Sequence, residues 1–382
     1  MVFENQDPVA ETTMAAAVEA KPYGSPVIKV IGIGGGGSNA VSRMYREKTT
    51  GVDYTAVNTD AQHLARLDIP NKIAIGQAIT RGLGVGGNPD VGRQAAEESR
   101  EQIEQLVHGA DMVFLAAGMG GGTGTGAIPA IAQIAKESGA LTIAVVSKPF
   151  SFEVATRRKN AEEGLVRLKD HVDTVITIPN DRLLQLDAGY GQEPAKSWDD
   201  ALRLADTVLQ QGIQAVAEVV TVPGEINVDF ADVQTIMRNA GPAWLAIGKG
   251  KGETRAVDAA KQATRSPLLD IAIEGAKRLL FVMTGGPSLT LKEVQQAADI
   301  IYELADPEAN VIFGTVKDPK MDEEVKITLV AASFPMAQEN LMQRQDELRR
   351  LLQESATQNG DELDVPSFLR KEATTRTMGY FG

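Results

Sequence analysis

Residues 27–39 read VIKVIGIGGGGSN, a short β-branched run that passes directly into a row of glycines. A strand that ends in G-x-G-x-x-G and continues into a helix is the fingerprint of a dinucleotide-binding loop. Glycine lets the backbone approach a phosphate closely, and the free N–H groups of the following helix favour an anion. The pattern predicts a nucleotide phosphate site, and a glycine turn made only for packing is the alternative.

A second glycine loop, GMGGGTGTG at residues 118–126, follows another strand-like run. Two such loops at one edge of a sheet can hold a polyphosphate from both sides, and Thr123 and Thr125 add hydroxyl donors. A turn made only for tight packing does not need six glycines in nine residues. The chain contains no G-x-x-x-x-G-K-[ST] sequence, which excludes a P-loop with its phosphate-binding lysine.

Strand-like and helix-like segments alternate from residue 27 to residue 178, which is typical of a doubly wound α/β domain with a parallel sheet. We expect strands near 27–31, 53–57, 112–116, 141–146 and 174–178, and helices near 38–46, 89–106, 128–138 and 156–169. Ligands of such sheets bind at the carboxyl ends of the strands, which is where both glycine loops fall.

The rest of the chain divides into five segments. A long apolar helix is expected at 197–222, after a nucleotide-binding domain at 27–196, and a second α/β domain follows at 223–335. Residues 1–26 have the composition of a disordered tail, and residues 336–361 that of a flexible linker. Residues 362–382 form the C-terminal end, which carries a short apolar motif.

The composition excludes several classes of protein. The 382 residues carry 38 basic and 51 acidic side chains, a net charge of −13, so we expect no nucleic-acid partner. There is no cysteine, which excludes disulfides and thiolate metal sites and fits a reducing cytoplasm. The 3 histidines are scattered, so we assign no metal ligands. We find neither a secretory signal nor an apolar run of about 18 residues, so no membrane insertion is expected.

Three charged side chains fit either a structural or a binding role. Glu153 and Arg157 lie four residues apart, which favours an exposed ion pair over contacts with a ribose and its phosphates. Asp206 lies in the middle of the apolar helix, where an unpaired carboxylate is costly. It could pair with Arg203, or it could accept the N1–H and 2-amino donors of guanine and so favour GTP over ATP. The spacing leaves both interpretations open.

Residues 227–233 read NVDFADV and begin a helix. Asp229 suits the N-cap and Asp232 the first turn, where a carboxylate stabilises the helix dipole. Two carboxylates at this spacing could instead orient a water molecule and accept its proton. Inside their own triphosphate pocket they would repel the nucleotide, so a catalytic role would require delivery from another subunit.

Taken together, these motifs resemble the FtsZ family of tubulin-like cell-division GTPases. The resemblance covers residues 27–335 in order and includes NTDA at 58–61, TRGLG at 80–84 and PND at 179–181. It implies a tubulin-like fold with a GTPase domain, a long central helix and a second α/β domain. It also implies GTP or GDP as ligand, Mg²⁺ held mainly by the phosphates, and head-to-tail polymerisation into a division ring at midcell.

The resemblance assigns roles to individual residues. The phosphate-loop positions are Gly35, Gly36, Gly37, Ser38, Asn39, Gly122, Thr123 and Gly124. It favours the binding roles of Glu153 and Arg157 at the sugar and phosphates and of Asp206 at guanine. The residues that match the loop inserted into the next subunit's nucleotide site, where it completes hydrolysis, are Asn227, Asp229 and Asp232.

Three further expectations concern the remaining segments and the competing function. DVPSFLRK, from Asp364 to Lys371, is similar to the family's C-terminal peptide, which implies binding to membrane tethers such as FtsA or SepF. Residues 186–196 are longer than this family leads us to expect. The alternative function is a nucleotide-dependent oxidoreductase with a Rossmann-like domain, which the first glycine loop alone permits. The second loop argues against it, because a dehydrogenase needs no second polyphosphate clamp.

Overall fold

The computed structural model of the chain describes residues 25–47, 51–184, 197–222, 226, 228–268 and 276–333. The strands are β1 Ile28–Ile33, β2 Val52–Asn58, β3 Asn71–Ala74, β4 Met112–Gly118, β5 Leu141–Lys148, β6 Thr174–Pro179, β7 Gly241–Lys251, β8 Arg278–Gly285, β9 Asn310–Lys317 and β10 Glu324–Ala332. The helices are α1 Gly34–Glu47, α2 Ala61–Arg66, α3 Gln77–Thr80, α4 Pro89–Glu98, α5 Arg100–Val107, α6 Thr123–Glu137, α7 Ala155–Lys169, α8 Asn180–Leu183, α9 Trp198–Thr221, α10 Phe230–Met237, α11 Arg255–Thr264 and α12 Leu291–Leu304.

Within these ranges the strands form one sheet in the order β3-β2-β1-β4-β5-β6-β7-β10-β8-β9. Neighbouring strands are parallel except at β10, which is antiparallel to both β7 and β8. The two predicted α/β regions therefore share a sheet. They join at a narrow seam, where residues 174–176 of β6 pair with residues 241–243 of β7.

Helices cover both faces of the sheet, and the strand side chains alternate between the two layers. On β4, Phe114 belongs to a buried cluster with side chains of α1, α9 and α10. The next residue, Leu115, belongs to a second cluster with side chains of α4, α5, α6 and α7. Successive side chains of a strand point to opposite faces of the sheet. A strand that is covered by helices on both faces is therefore apolar at nearly every position. The predicted doubly wound α/β fold is confirmed.

The helix boundaries differ from the predicted ones at three places. Helix α1 begins at Gly34 and α6 at Thr123, so parts of both glycine loops form the first turns of helices. The helix predicted at 89–106 is two helices that meet at Ser99. The Ser99 hydroxyl accepts a hydrogen bond from the N–H of Gly76 at 3.0 Å, which ties the junction of the two helices to the start of α3.

Helix α9 crosses the molecule from one edge of the parallel strands to the other. Its 24 residues span roughly 36 Å at the usual rise of an α-helix. Its last residue, Thr221, lies against Gly51 at the start of β2: a Cβ atom on Gly51 would be 3.4 Å from the Thr221 methyl group. The helix therefore ends at the amino edge of these strands, opposite the edge that carries the glycine loops.

Several predicted segments lie outside the described residues. These are residues 1–24 of the predicted tail, the segment 186–196, the linker 336–361 and the C-terminal peptide 362–382. Among the helices that are described, none combines the length and the apolar character needed to cross a membrane.

Candidate functional site

The two glycine loops touch each other at the carboxyl ends of the adjacent strands β1 and β4. A Cβ atom on Gly34 would lie 2.7 Å from the amide nitrogen of Gly124, and Gly34 itself has a φ of +71°. Only glycine fits a backbone contact this close in a left-handed conformation. At Gly35, by contrast, a Cβ atom would have nothing within 4 Å. The outer face of the first loop is therefore open to a ligand.

Two helix N-termini meet at this edge. Helices α1 and α6 have 14 and 15 residues, and neither carries an acidic side chain in its first turn. The first N–H groups of a helix have no partner within the helix, and its positive dipole end attracts anions. Two such termini on neighbouring parallel strands form a site suited to a polyphosphate.

Ser38 and Asn39 belong to the predicted phosphate loop but use their side chains differently. Ser38 is buried, and its single O–H lies between the carbonyl oxygens of Gly32 and Val57, which are 3.2 and 3.4 Å from Oγ. Its remaining contribution to a ligand is its backbone N–H. The Asn39 side chain is half-buried, and its Oδ1 lies 3.0 Å from Nε2 of His63.

The second loop is held by its own threonines. Thr123 Oγ1 lies 2.6 Å from Thr59 Oγ1, which joins the start of α6 to the segment after β2. Thr125 Oγ1 accepts the N–H of Gly120 at 2.7 Å. Thr125, which we expected to add a ligand donor, stabilises the loop by accepting this bond, which does not use its O–H donor.

Glu153 and Arg157 form the ion pair that their spacing predicts. One Glu153 oxygen contacts Arg157 Nη1 at 2.5 Å, and the other accepts the N–H of Phe150 at 2.9 Å. The Glu153 side chain is 8% exposed and that of Arg157 50% exposed. A Cβ atom on Gly120 would lie 2.7 Å from the Arg157 carbonyl oxygen, so the pair borders the second glycine loop.

Asp206 forms an ion pair, but not with Arg203, the candidate partner named in the sequence analysis. Its carboxylate lies 3.3 Å from Nη2 of Arg43 on α1, and its side chain is 14% exposed. Arg203 pairs instead with Asp199, one turn earlier on the same exposed helix surface. Burial raises the pKa of Asp206 to about 6, although the positive charge of Arg43 opposes this shift.

Asp229 and Asp232 are exposed and lie far from the glycine loops. The Asp232 carboxylate accepts the N–H of Asp229 at 3.3 Å, one half of a capping box at the start of α10. Val228, which precedes Asp229, lies beside Val219 in the last turn of α9, because a Cβ atom on Gly314 would lie 2.8 and 2.7 Å from these two side chains. From Asp206 to Val219 the helix axis rises roughly 20 Å. The structure therefore separates the acidic pair from the nucleotide loops of the same chain. Asn227 lies outside the described residues.

The sequence analysis missed four side chains at this edge: Arg43, Asn58, Thr59 and His63. Asn58 and Thr59 belong to the NTDA motif that contributed to the resemblance. The sequence analysis therefore noticed these residues but assigned them no role. Arg43 and the contact of His63 with Asn39 carry no local signal, because the residues of each pair, Arg43 with Asp206 and His63 with Asn39, are far apart in sequence. Among the described residues, no group of three His, Asp or Glu side chains is placed to hold a metal ion.

Two phosphate-type helix N-termini, side by side on a parallel sheet with a long helix across it, define a nucleotide-binding protein of the tubulin-like class. The model of the Tubulin/FtsZ family GTPase domain matches residues 27–188, and that of the FtsZ family C-terminal domain matches residues 241–335. On the evidence of these matches and of the solved structures below, the chain belongs to the FtsZ family.

The solved structures agree with this assignment. An empty FtsZ dimer from M. jannaschii is 43% identical, with a TM-score of 0.77 over 81% of this chain and 88% of that one. A mutant FtsZ from the same organism is 42% identical, with a TM-score of 0.78 over 81% and 92% of the two chains. CetZ1 from Haloferax volcanii shares the fold at 24% identity, with a TM-score of 0.69 over 80% and 94%.

Family membership establishes the general activity. The chain is a tubulin-like GTPase that binds GTP and GDP, forms filaments and functions in cell division. The alternative of a nucleotide-dependent oxidoreductase has no support in these comparisons.

Proposed function

We propose that this chain hydrolyses GTP between two head-to-tail subunits, one supplying the nucleotide loops and the next supplying Asp229 and Asp232. The observation that carries the proposal is the placement of these two groups at opposite edges of the parallel strands. The acidic pair cannot reach the phosphates of its own chain, whereas a head-to-tail contact would bring it to those of a neighbour. The M. jannaschii relative at 43% identity is described as a dimer.

The nucleotide loops act mainly through backbone donors. We assign the phosphate contacts to the backbone N–H groups of Gly35, Gly36, Gly37, Ser38, Asn39, Gly122, Thr123 and Gly124, with the side chains of Asn39 and Thr123 beside them. Support comes from the two helix N-termini, which lack acidic side chains in their first turns. Mg²⁺, which neutralises the β- and γ-phosphates when bound, would take its ligands mainly from phosphate oxygens and water.

The base and the sugar are assigned to three charged side chains. The Asp206 carboxylate accepts the two donors on one edge of guanine, and Arg43 favours its ionised form. Glu153 accepts from the ribose hydroxyls, and Arg157 lies towards the sugar and phosphates. Support comes from the low exposure of both carboxylates, 14% for Asp206 and 8% for Glu153, because a hydrogen bond to a desolvated carboxylate discriminates strongly.

Exposed apolar side chains surround the nucleotide edge and favour a subunit contact there. Leu83 is 77% exposed and forms a bridge with Asp60, just after β2. Phe152 and Val154 follow the carboxyl end of β5 and are 50% and 67% exposed. Apolar side chains clustered around a polar site are typical of an interface.

In the assembled site, the incoming carboxylates act on water. Asp229 and Asp232 hold a water molecule in line with the γ-phosphate, and Asn227 adds an amide. The water oxygen forms a bond to phosphorus as the bond to the β–γ bridging oxygen breaks, and a carboxylate accepts the water's proton. GDP and inorganic phosphate are the products. We place this activity in a cytoplasmic ring at midcell, tethered through the peptide from Asp364 to Lys371 to membrane proteins such as FtsA or SepF.

A complementation experiment tests the shared site. Asp232→Asn removes a water-binding carboxylate but leaves its own nucleotide loops intact, whereas Gly35→Asp places a negative charge in open space at the phosphate loop. Each variant alone should hydrolyse little GTP. In a random mixture about one interface in four joins an intact pocket to an intact acidic pair, so activity should return in part. Glu303→Gln, on an exposed helix surface, is the matched control and should behave as wild type.

Two results would contradict the proposal. The first is a mixture that co-sediments as mixed filaments yet hydrolyses no more GTP than either variant alone. The second concerns wild-type protein: a shared site requires the GTPase rate per subunit to rise with protein concentration. A rate per subunit that is independent of concentration would return Asp232 to a helix-capping role.

A further inference from the structure

We propose that His63 is a positioning residue of the nucleotide site, which turns the side-chain amide of Asn39 so that its N–H₂ group faces the bound nucleotide. This inference rests on the proposed role of Asn39 in the first phosphate loop. His63 lies on α2, the short helix after β2, and is half-buried between α1 and the NTDA segment. Its two ring nitrogens contact two different asparagines.

The orientation of this network starts from a group whose polarity is fixed. The backbone N–H of Thr59 can only donate, and it lies 2.9 Å from Oδ1 of Asn58. The amide nitrogen of Asn58 therefore points the other way, and it lies 3.2 Å from Nδ1 of His63. An amide N–H₂ is a donor, so Nδ1 of the neutral ring must accept. Asn58 is only 4% exposed, so water does not offer it an alternative partner.

The ring passes this polarity on to Asn39. A neutral imidazole that accepts at Nδ1 carries its hydrogen on Nε2. Nε2 of His63 lies 3.0 Å from Oδ1 of Asn39, so the ring donates and the Asn39 oxygen accepts. The Asn39 N–H₂ group is then directed away from His63. Among the described residues, no hydrogen-bond partner for that nitrogen is present, so it remains available to a ligand.

The consequence for the nucleotide is electrostatic. An N–H₂ group donates to an acceptor atom of the nucleotide, whereas the amide oxygen in the flipped orientation would repel that atom. Without His63 the Asn39 amide could adopt either orientation, and part of the binding free energy would be used to select one. The backbone that carries the ring is held in place, because the N–H of His63 donates to the N-cap carboxylate of Asp60 at 2.9 Å.

Substitutions at position 63 separate the two contacts of the ring. His63→Gln places an amide donor near the position of Nε2 and should keep GDP binding within about twofold of wild type. His63→Asn reaches only the position of Nδ1, and His63→Ala reaches neither, so both should raise the Kd for GDP roughly five- to tenfold. GDP binding to the full chain is measured by calorimetry, and thermal unfolding checks that each variant is folded. Gln62→Ala, on the exposed side of the same helix, is the control.

The Asn39 amide contacts the nucleotide in the ground state as well as during hydrolysis. The KM for GTP should therefore rise in His63→Ala, while kcat at saturating GTP stays near the wild-type value. If His63 only stabilised the fold, His63→Gln would not keep the wild-type GDP affinity while His63→Asn lost it. Equal affinities of the Gln, Asn and Ala variants would overturn the proposal.

A double-mutant cycle with Asn39→Ala distinguishes this inference from the proposed function. If His63 acts through Asn39, His63→Ala should cause no further loss in the Asn39→Ala background. Losses that multiply in the double mutant would mean that His63 acts independently of Asn39, which refutes the inference alone. GDP affinity unchanged by Asn39→Ala would refute the phosphate-loop role of Asn39, and the inference with it.

Discussion

Gly34 and Gly124, one from each glycine loop, approach each other so closely that a Cβ atom on Gly34 would lie 2.7 Å from the Gly124 nitrogen. This contact fixes the distance between the start of α1 and the start of α6. The spacing of the two helix N-termini, on which a polyphosphate site depends, is therefore set by backbone-to-backbone packing.

The first prediction uses this contact. Gly34→Ala should destabilise the fold by about 2 to 4 kcal/mol, because it adds a clash with backbone to a strained positive φ. Gly35→Ala, one residue later, has nothing within 4 Å of its new methyl group and should leave the unfolding free energy unchanged. Chemical denaturation measures both. Since the Gly35 methyl would enter the phosphate space, GDP affinity should fall in that variant, and wild-type affinity there would contradict the first-loop assignment.

The second prediction concerns the pH dependence of nucleotide binding through Asp206. A carboxylate accepts both guanine donors, whereas a protonated carboxyl group loses an acceptor. Since burial raises the pKa of Asp206 to about 6 in the free protein, GDP affinity should weaken as the pH falls through this value. Calorimetry on either side of it measures the effect. Asp206→Ala should weaken binding and remove this dependence, and a retained dependence would show that another group titrates.

The same shift has a consequence for stability with the opposite sign. Between the ordinary value of 3.8 and about 6, the folded protein holds the Asp206 proton more tightly than the unfolded chain does. This group's contribution to the unfolding free energy should therefore decrease as the pH rises through that interval. In Arg43→Met the pKa of Asp206 should rise further, because the positive charge that favours the carboxylate is gone. The pH interval over which stability decreases should then extend to higher pH.

The third prediction concerns the ion pair between Arg255 and Glu293 in the C-terminal domain. The guanidinium donates to Glu293 at 2.7 and 3.3 Å and to the Asp322 carbonyl oxygen at 2.6 Å. The two side chains are only 10% and 16% exposed. Arg255→Met should destabilise the fold by about 3 kcal/mol, because it leaves a buried carboxylate without its partner. Lys251→Met breaks an exposed pair with Glu324 and should cost little.

The pH dependence of the unfolding free energy tests whether the charge of Glu293 accounts for the stability that the Arg255–Glu293 pair contributes. Hydrogen bonds from Arg255 lower the pKa of Glu293 from 4.5 to about 2. The ionised Glu293 side chain stabilises the fold above pH 4.5, and this contribution is lost as the pH falls towards about 2. The difference in unfolding free energy between wild type and Glu293→Gln should shrink across that interval. A difference that does not change with pH would show that packing, not the charge, accounts for the effect.

The fourth prediction concerns the C-terminal peptide. Deletion of residues 362–382 should leave GTP hydrolysis and filament sedimentation near wild type, because the matched C-terminal domain ends at residue 335. Binding to a membrane tether such as FtsA or SepF should be lost. A chain with residues 364–371 in scrambled order keeps the composition and should also fail to bind. Loss of GTP hydrolysis in the truncated chain would mean that the tail is part of the folded core.

The order of strands and helices was predictable because its signals are local. β-branched runs followed by glycine or by amphipathic segments predict a doubly wound sheet without knowledge of any contact. The helix starts were less predictable: glycine is a poor helix former, so the pattern placed the starts of α1 and α6 after the loops. Packing between Gly34 and Gly124 overrides that preference, and Pro129 is accommodated inside α6.

The candidate site was predictable where a motif repeats a known pattern and not where two distant residues meet. The loop glycines stand out as a motif, whereas Arg43 and Asp206 are far apart in sequence, and no spacing rule connects them. Arg203 was the nearer candidate and is turned towards Asp199 instead. The contact of Asn39 with His63 was missed for the same reason, because it forms only when α2 packs beside α1.

The span of α9 has a consequence for counting active sites. Because the nucleotide loops and the acidic pair occupy opposite edges, the proposed shared site requires every filament to carry one unused pocket at one end and one unused acidic pair at the other. A filament then has one complete site fewer than it has subunits. A dimer uses half of its pockets, whereas a long filament uses nearly all of them. GTP consumption per subunit would thus report filament length, and severing a filament would slow turnover at constant mass.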